Sequence, residues 1–153
     1  MGEIMQCFWA LLGSFAFGIV FNIRGKNNIY AALGGLFGWV VYLLVGKIST
    51  STITQFFIAA LAISVYAEFM AIWRKTPVTV FIISAMIPLV PGGTIFYTMQ
   101  ELIMGNYMES YKLGIYTIAI AGSMAMGILI ASFAVQTMRY TINHILDRGS
   151  IRN

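Results

Sequence analysis

The residues with the most to offer chemically are gathered in one apolar stretch, Ile87-Pro88-Leu89-Val90-Pro91-Gly92-Gly93-Thr94, with Tyr97 and Glu101 after it and Glu68 some twenty residues before it. Each proline removes a backbone donor and disfavours helical geometry at the residue before it, Ile87 or Val90, while the glycine pair leaves the chain free to unwind. A helix entering this stretch is expected to break over 88–93 and to restart at Thr94. The restarted helix offers free N–H groups and the positive end of its dipole, which suits a carboxylate. Pro88, Pro91, Gly92, Gly93 and Thr94, with Tyr97 on the same broad face as Thr94, are the candidate substrate-binding residues. The plainer alternative is a proline kink that only serves packing.

Two carboxylates are candidates for proton coupling. Glu68 follows Ala60 and Ser64 at four-residue spacing, on a face small enough for close helix packing, so its side chain is expected to point into a bundle. An ionisable group at that depth suits a proton carrier or a substrate gate; pairing with Lys75, or leaning to the surface, is the structural alternative. Glu101, two turns past the break, is the second candidate, with solvation near the membrane boundary as its alternative. No catalytic residue is expected: the one aspartate is Asp147, no His-Glu-x-x-His occurs, and the one histidine, His144, lies in the tail as a surface residue. Hydrolytic triads, zinc-hydrolase motifs and phosphate loops are therefore missing, which argues against an enzyme. Neither cofactor nor metal is implied, since Cys7 is alone and Met104 with Met108 lacks further soft ligands.

These residues must be held by helices in a bilayer. Of the 153 residues 59% are hydrophobic and 9% charged, against about 25% charged in soluble domains. At about 20 apolar residues per crossing the chain allows four or five passes. The expected architecture is all-α, a polytopic membrane helical bundle forming a single transmembrane domain over 1–153. Its five transmembrane helices span about 4–23, 29–45, 53–73, 78–104 and 114–138, with a cytoplasmic tail at 139–153. Asn22 and Gly25 end the first span; Asn27 or Asn28 caps the second, which Gly46-Lys47 closes; Ser49 to Thr52 caps the third; Thr76-Pro77 starts the fourth. The 27 residues from Val78 to Met104 would make a straight helix about 40 Å long against roughly 30 Å of hydrocarbon, so a break at 88–93 falls near the midplane. Glu109 and Lys112 are expected in the loop before the fifth span, and the helix beyond it, with Ile142, Ile145 and Leu146 on one face, is expected to stop at Gly149.

Basic residues orient the bundle. Five passes place Arg24, Lys26, Arg74, Lys75, Arg139, Arg148 and Arg152 on one side and only Lys47 and Lys112 on the other. The richer side faces the cytoplasm by the positive-inside rule, with the amino terminus outside and the carboxy terminus inside. A re-entrant hairpin at 78–104 would scramble that separation. Scattered in ones and twos between apolar runs, the cations match a lipid bilayer and not nucleic acid, despite a formal charge of +4. The start, Met1-Gly2-Glu3, lacks the basic region of a secretory signal. Rows of small residues, Ala10-Ser14-Gly18, Gly34-Gly38 and Ser123-Gly127-Ala131, call for close helix association, within the chain or with a partner.

The order Ala67-Glu68, Arg74-Lys75-Thr76-Pro77, Ile87-Pro88-Leu89-Val90-Pro91-Gly92-Gly93, Tyr97 resembles the membrane module of the threonine/serine exporter (ThrE) family, in particular the small subunit of its split form (YjjB-like). The resemblance covers about Ile4 to Met138 and maps the family motif onto Glu68, Pro77, Pro88, Pro91, Gly92 and Tyr97. It implies a membrane subunit of a secondary exporter of small carboxylate-bearing metabolites, threonine, serine or a dicarboxylate such as succinate. Such an exporter would be driven by an ion gradient in a bacterial inner membrane, and a larger membrane subunit of the same family (YjjP-like) is the implied partner. The competing expectations are a non-transporting assembly or regulatory subunit and a self-sufficient homo-oligomeric carrier.

Overall fold

The structure, a computed structural model, describes the backbone of residues 2–150 and side chains through Thr141. It is an all-α helical bundle. Helix α1 spans Glu3–Val20, α2 Lys26–Ile48, α3 Thr52–Arg74, α4 Thr79–Met86, a 3-10 turn Ile87–Leu89, α5 Gly92–Ile103 and α6 Tyr107–Ser150. Four of these, α1, α2, α3 and α6, are long and apolar enough to cross a membrane, and α4 with α5 forms a pair bent by 50°.

That bent pair is one crossing. Gly127 of α6 sits against Phe57 and Leu61 near the start of α3, while Gln136 and Arg139 share a cavity with Glu68 and Lys75 near its end. Helices α3 and α6 therefore run parallel, so the fourth segment must carry the chain back across between them. A bend of 50° keeps α5 advancing, where a re-entrant hairpin would reverse it.

Local rules explain most helix ends, and several differ from expectation. α1 stops at Val20 because Asn22 turns left-handed (φ 57°) and the Ile23 N–H reaches back to Gly18 O at 2.9 Å, a Schellman closure. Neither Asn27 nor Asn28 caps α2; Gly25 (φ 64°) does so without a side-chain bond. Asn28 instead donates through Nδ2 to Phe15 O at 3.3 Å, and Asn27 accepts from Arg74 Nε at 2.9 Å. α2 continues through Gly46-Lys47 because Lys47, in its last turn, pairs with Glu3 at 2.9 Å and complements the dipole. Thr76 does not cap the fourth span, for its Oγ1 is buried without a hydrogen bond. The first turn is closed by backbone bonds from Val80 to Pro77 and from Phe81 and Ile82 to Val78. α6 begins seven residues earlier than expected, since Asn106 O accepts from Glu109 and Ser110 and a Glu109–Lys112 pair at 3.1 Å braces the first turn. Those two residues are thus helical, not loop. The helix also runs through Gly149 to Ser150; one glycine costs only about 1 kcal/mol in a helix. The expectations for Ile142, Ile145, Leu146, His144, Arg148 and Arg152 fall outside the described side chains.

The small-residue rows pack within the chain. Ala10, Ser14 and Gly18 are the buried residues of α1. An added Cβ at Gly35 would overlap Ser14, at Gly38 Ile63, and at Gly18 Asn28. Ser84 on α4 donates to Ser14 O at 2.6 Å, tying the fourth span to the first. The core around Ala59, Ala60, Ile63, Ala85, Leu89 and Ile120 joins α3, α4 and α6, with Trp39 and Tyr42 of α2 packed against it.

Replacing Gly127 tests this packing. Its Cβ would stand 2.8 Å from Phe57 O and 3.1 Å from Leu61 N, backbone atoms that cannot rotate away. Gly127→Ala should destabilise the detergent-solubilised protein by about 1–3 kcal/mol, read as a lowered unfolding temperature. Gly122→Ala, with open space around it, should not.

Candidate functional site

The break is built from three consecutive backbone events. The 3-10 turn holds Pro88, Val90 is extended (φ −60°, ψ 126°), and Pro91 stands at the N-cap of α5 (φ −75°, ψ 51°). Val90 N–H still reaches Ile87 O at 3.2 Å, and Gly92 N–H folds onto Val90 O at 2.7 Å. Helix α5 thus restarts at Gly92, two residues before the expected Thr94. Proline at the N-cap and glycine after it permit the earlier restart, because the proline ring fixes φ near its helical value and leaves no N–H to satisfy, while glycine brings no side chain into the turn. Thr94 lies inside the first turn, with Oγ1 donating to Pro91 O at 3.0 Å.

Depth follows from neighbours. Ile87 and Pro88 share a crevice of about 290 Å³ with Gln6, Trp9, Ala10 and Gly13 of α1 and Trp39 of α2, and Leu89 is buried beside Ala59, Ala60 and Ile63 of α3. Apart from Gln6 in the first turn of α1, these neighbours lie in the middle turns of their helices, so the fourth span loses its helix at mid-depth. The six candidate substrate residues are not gathered into one enclosed pocket. Pro88 faces the crevice, whereas Gly92, Gly93 and Tyr97 are exposed, and a Cβ at either glycine would meet nothing within 4 Å. α5 has no buried residue and rests on α6, where Ser110 Oγ donates to Thr98 O at 2.8 Å.

Glu68 occupies a different place. It is 4% exposed, next to Ala67 and below Ser64 on the buried face of α3. It lines a polar cavity of about 480 Å³ with Lys75, Thr76, Pro77, Gln136 and Arg139, and among the described residues it has no ion pair within 4.0 Å, with Lys75 or any other. This cavity opens at the basic end of the bundle, where Arg24, Lys26, Arg74, Lys75 and Arg139 collect. The opposite end is neutralised, since Lys47 and Lys112 each hold a carboxylate. Glu101 accepts from Asn106 Nδ2 at 2.7 Å, so it braces the α5–α6 turn and is not brought near Glu68.

Several lining residues carry little signal in the sequence. Trp39 brings a buried indole N–H without a hydrogen-bond partner to the packing beside the crevice. Thr76, Gln136 and Arg139 complete the polar cavity. Gln136 in an otherwise apolar run was the available signal; for Trp39 there was none, because an aromatic in a span reads as packing. The described residues hold no cluster of three or more potential metal-ligating His, Cys, Asp or Glu.

Among known families, the sequence model described as Threonine/Serine exporter, ThrE, matches residues 6–134. No curated protein and no solved structure matches the chain.

Open space at the break has a measurable consequence. Gly92→Ala and Gly93→Ala should leave the unfolding temperature unchanged or slightly raised, because alanine favours a helix by up to about 1 kcal/mol and meets no neighbour. A large loss of stability in either variant would place packing, not openness, at the break.

Proposed function

The chain belongs to the threonine/serine exporter family, and from that premise we propose that it is a membrane subunit of a secondary exporter for small carboxylate-bearing metabolites. Members of the family are transporters, and we read this chain as carrying no enzymatic step of its own. The observation that supports the reading most is the interruption of the fourth span at mid-depth, with Gly92 and Gly93 left uncovered by the chain's own atoms. Backbone N–H groups at that depth cannot face acyl chains; they must meet a watery passage, a bound anion or another protein surface. A substrate carboxylate, from threonine, serine or a dicarboxylate such as succinate, meets the first turn of α5 at Gly93 and Thr94, beside Pro88, Pro91 and Tyr97. Glu68 exchanges a proton as access alternates, with Glu101 a lesser candidate for the same work, so that export draws on an ion gradient.

The same exposure supports a partner. α5 offers Ile95, Phe96, Tyr97, Met99 and Ile103 to its surroundings and, among the described residues, packs chiefly along α6. A larger membrane subunit of the family is the occupant proposed for that side; a second copy of this chain is the alternative. The protein sits in the bacterial inner membrane with its basic end, and therefore its carboxy terminus, in the cytoplasm and its amino terminus outside.

Reconstitution tests this. The purified chain, alone and with the larger subunit, is assayed in inverted vesicles for uptake of threonine, serine and succinate with and without an ionophore. Ionophore-sensitive uptake is expected, reduced about tenfold or more in Gly93→Leu, which fills the space before the α5 N–H groups, while assembly of the complex is retained. Uptake kinetics that ignore substitution at Pro91, Gly92 and Gly93 would favour an assembly subunit instead. Orientation is checked by a fluorescent protein fused to the carboxy terminus, which should fold and emit in the cytoplasm; a silent fusion with an active periplasmic reporter would reverse the topology.

A further inference from the structure

The polar cavity at the basic end is chemically unlike the rest of the bundle. It holds one carboxylate, Glu68, nearly excluded from solvent at 4% exposure, and two cations, Lys75 and Arg139, on its walls. Gln136 and Thr76 are its neutral polar groups, and Thr76 Oγ1 is buried without a hydrogen bond. α2 and α4 contribute no residue to the lining, and among the described residues Lys75 and Arg139 are the titratable groups that share the cavity with Glu68. A buried carboxylate with no ion pair, beside two cations that do not close on it, is an expensive arrangement unless something bridges the gap.

Lys75 carries a second sign. It stands at the C-cap of α3 in the left-handed conformation (φ 52°, ψ 43°), a position that glycine fills without strain. The lysine side chain gains nothing from that backbone; what it adds is a positive charge at the cavity mouth. The cavity volume of about 480 Å³ falls in the range of small-molecule sites and exceeds what one or two waters need.

We propose that this cavity is a loading site for a small zwitterionic α-amino acid, its ammonium group on Glu68 and its carboxylate between Lys75 and Arg139, with Thr76 and Gln136 bonding the remaining polar atoms. The inference rests on the exporter reading and adds to it a site separate from the break. Five residues of α3, about 7.5 Å, separate Glu68 from Ile63, which packs beside Leu89 at the break, so the two sites lie on one packed framework. A carboxylate that holds an ammonium group has no place for a proton, so substrate and proton exclude one another at Glu68, which is the condition an exchanger needs.

Binding to the full-length chain in lipid nanodiscs tests the site without requiring transport. The probes are threonine, its amine-free relative 3-hydroxybutyrate, and its carboxylate-free relative 1-aminopropan-2-ol. Glu68→Gln should weaken threonine and aminopropanol by about tenfold or more and leave hydroxybutyrate unchanged. Arg139→Gln and Lys75→Gly should do the reverse, weakening threonine and hydroxybutyrate and sparing aminopropanol. Lys75→Gly should also raise the unfolding temperature, because glycine relieves the left-handed strain, so its loss of binding cannot be a loss of fold. Wild-type chain that binds no threonine, a Glu68→Gln variant that binds it normally, or variants that weaken all three probes alike would each overturn the site. If the selective pattern appears but vesicles never transport, the exporter reading fails and the site stands; transport without the pattern removes the site alone.

Discussion

A backbone amide inside hydrocarbon must find a partner, and that requirement shapes this protein more than any side chain does. Four spans, α1, α2, α3 and α6, meet it by remaining helical from end to end. Several polar side chains are bonded to backbone oxygens as well: Ser64 returns to Ala60 O within α3, Tyr66 of α3 donates to Tyr30 O of α2, and Ser84 of α4 reaches Ser14 O of α1. The fourth span departs from this economy, with Pro88 and Pro91 withholding donors and Gly92 and Gly93 open on their free side. A departure of the backbone at that depth is where function is expected to concentrate.

The bundle holds two kinds of glycine, and they divide it mechanically. Gly18, Gly35, Gly38 and Gly127 are filled by neighbouring atoms, which brings α1 to α2, α2 to α3, and α3 to α6 at close range. Around them the core is dense and offers little freedom. Gly92 and Gly93 touch nothing, and the helix they begin leans 50° away from α4. A rigid framework beside a loosely held half-helix is the arrangement that alternating access demands, since one part must move while another holds register.

Charge is sorted with equal economy. At one end Lys47 and Lys112 are each matched by a glutamate; at the other, Arg74 is spent on Asn27 and the Tyr30 ring, while Lys75 and Arg139 stand around the buried Glu68. The desolvation cost of that carboxylate is borne by the framework of α3, whose Ala60, Ser64 and Ala67 are fully buried. Small residues above Glu68 let α6 approach and close the cavity on its inner side.

Hydropathy, the proline and glycine positions and the sorting of cations were sufficient, read linearly, for an all-α membrane bundle, five crossings and a broken fourth span, because each is a property of a contiguous segment in a single solvent. Helix ends were less legible: Lys47 extends α2 by pairing with Glu3, forty-four positions away, and Thr76 looks like a cap while its hydroxyl goes unbonded. Which partner the small-residue rows would seek was also open, since the same spacing serves either a neighbour in the chain or another protein. Only the tertiary structure decided that they are consumed internally, that Glu101 braces a turn while Glu68 lies in a cavity, and that Gln136 and Arg139 share it. Those outcomes depend on α3 and α6 lying parallel, a relation between segments far apart in sequence, such as Phe57 and Gly127, that no local propensity encodes.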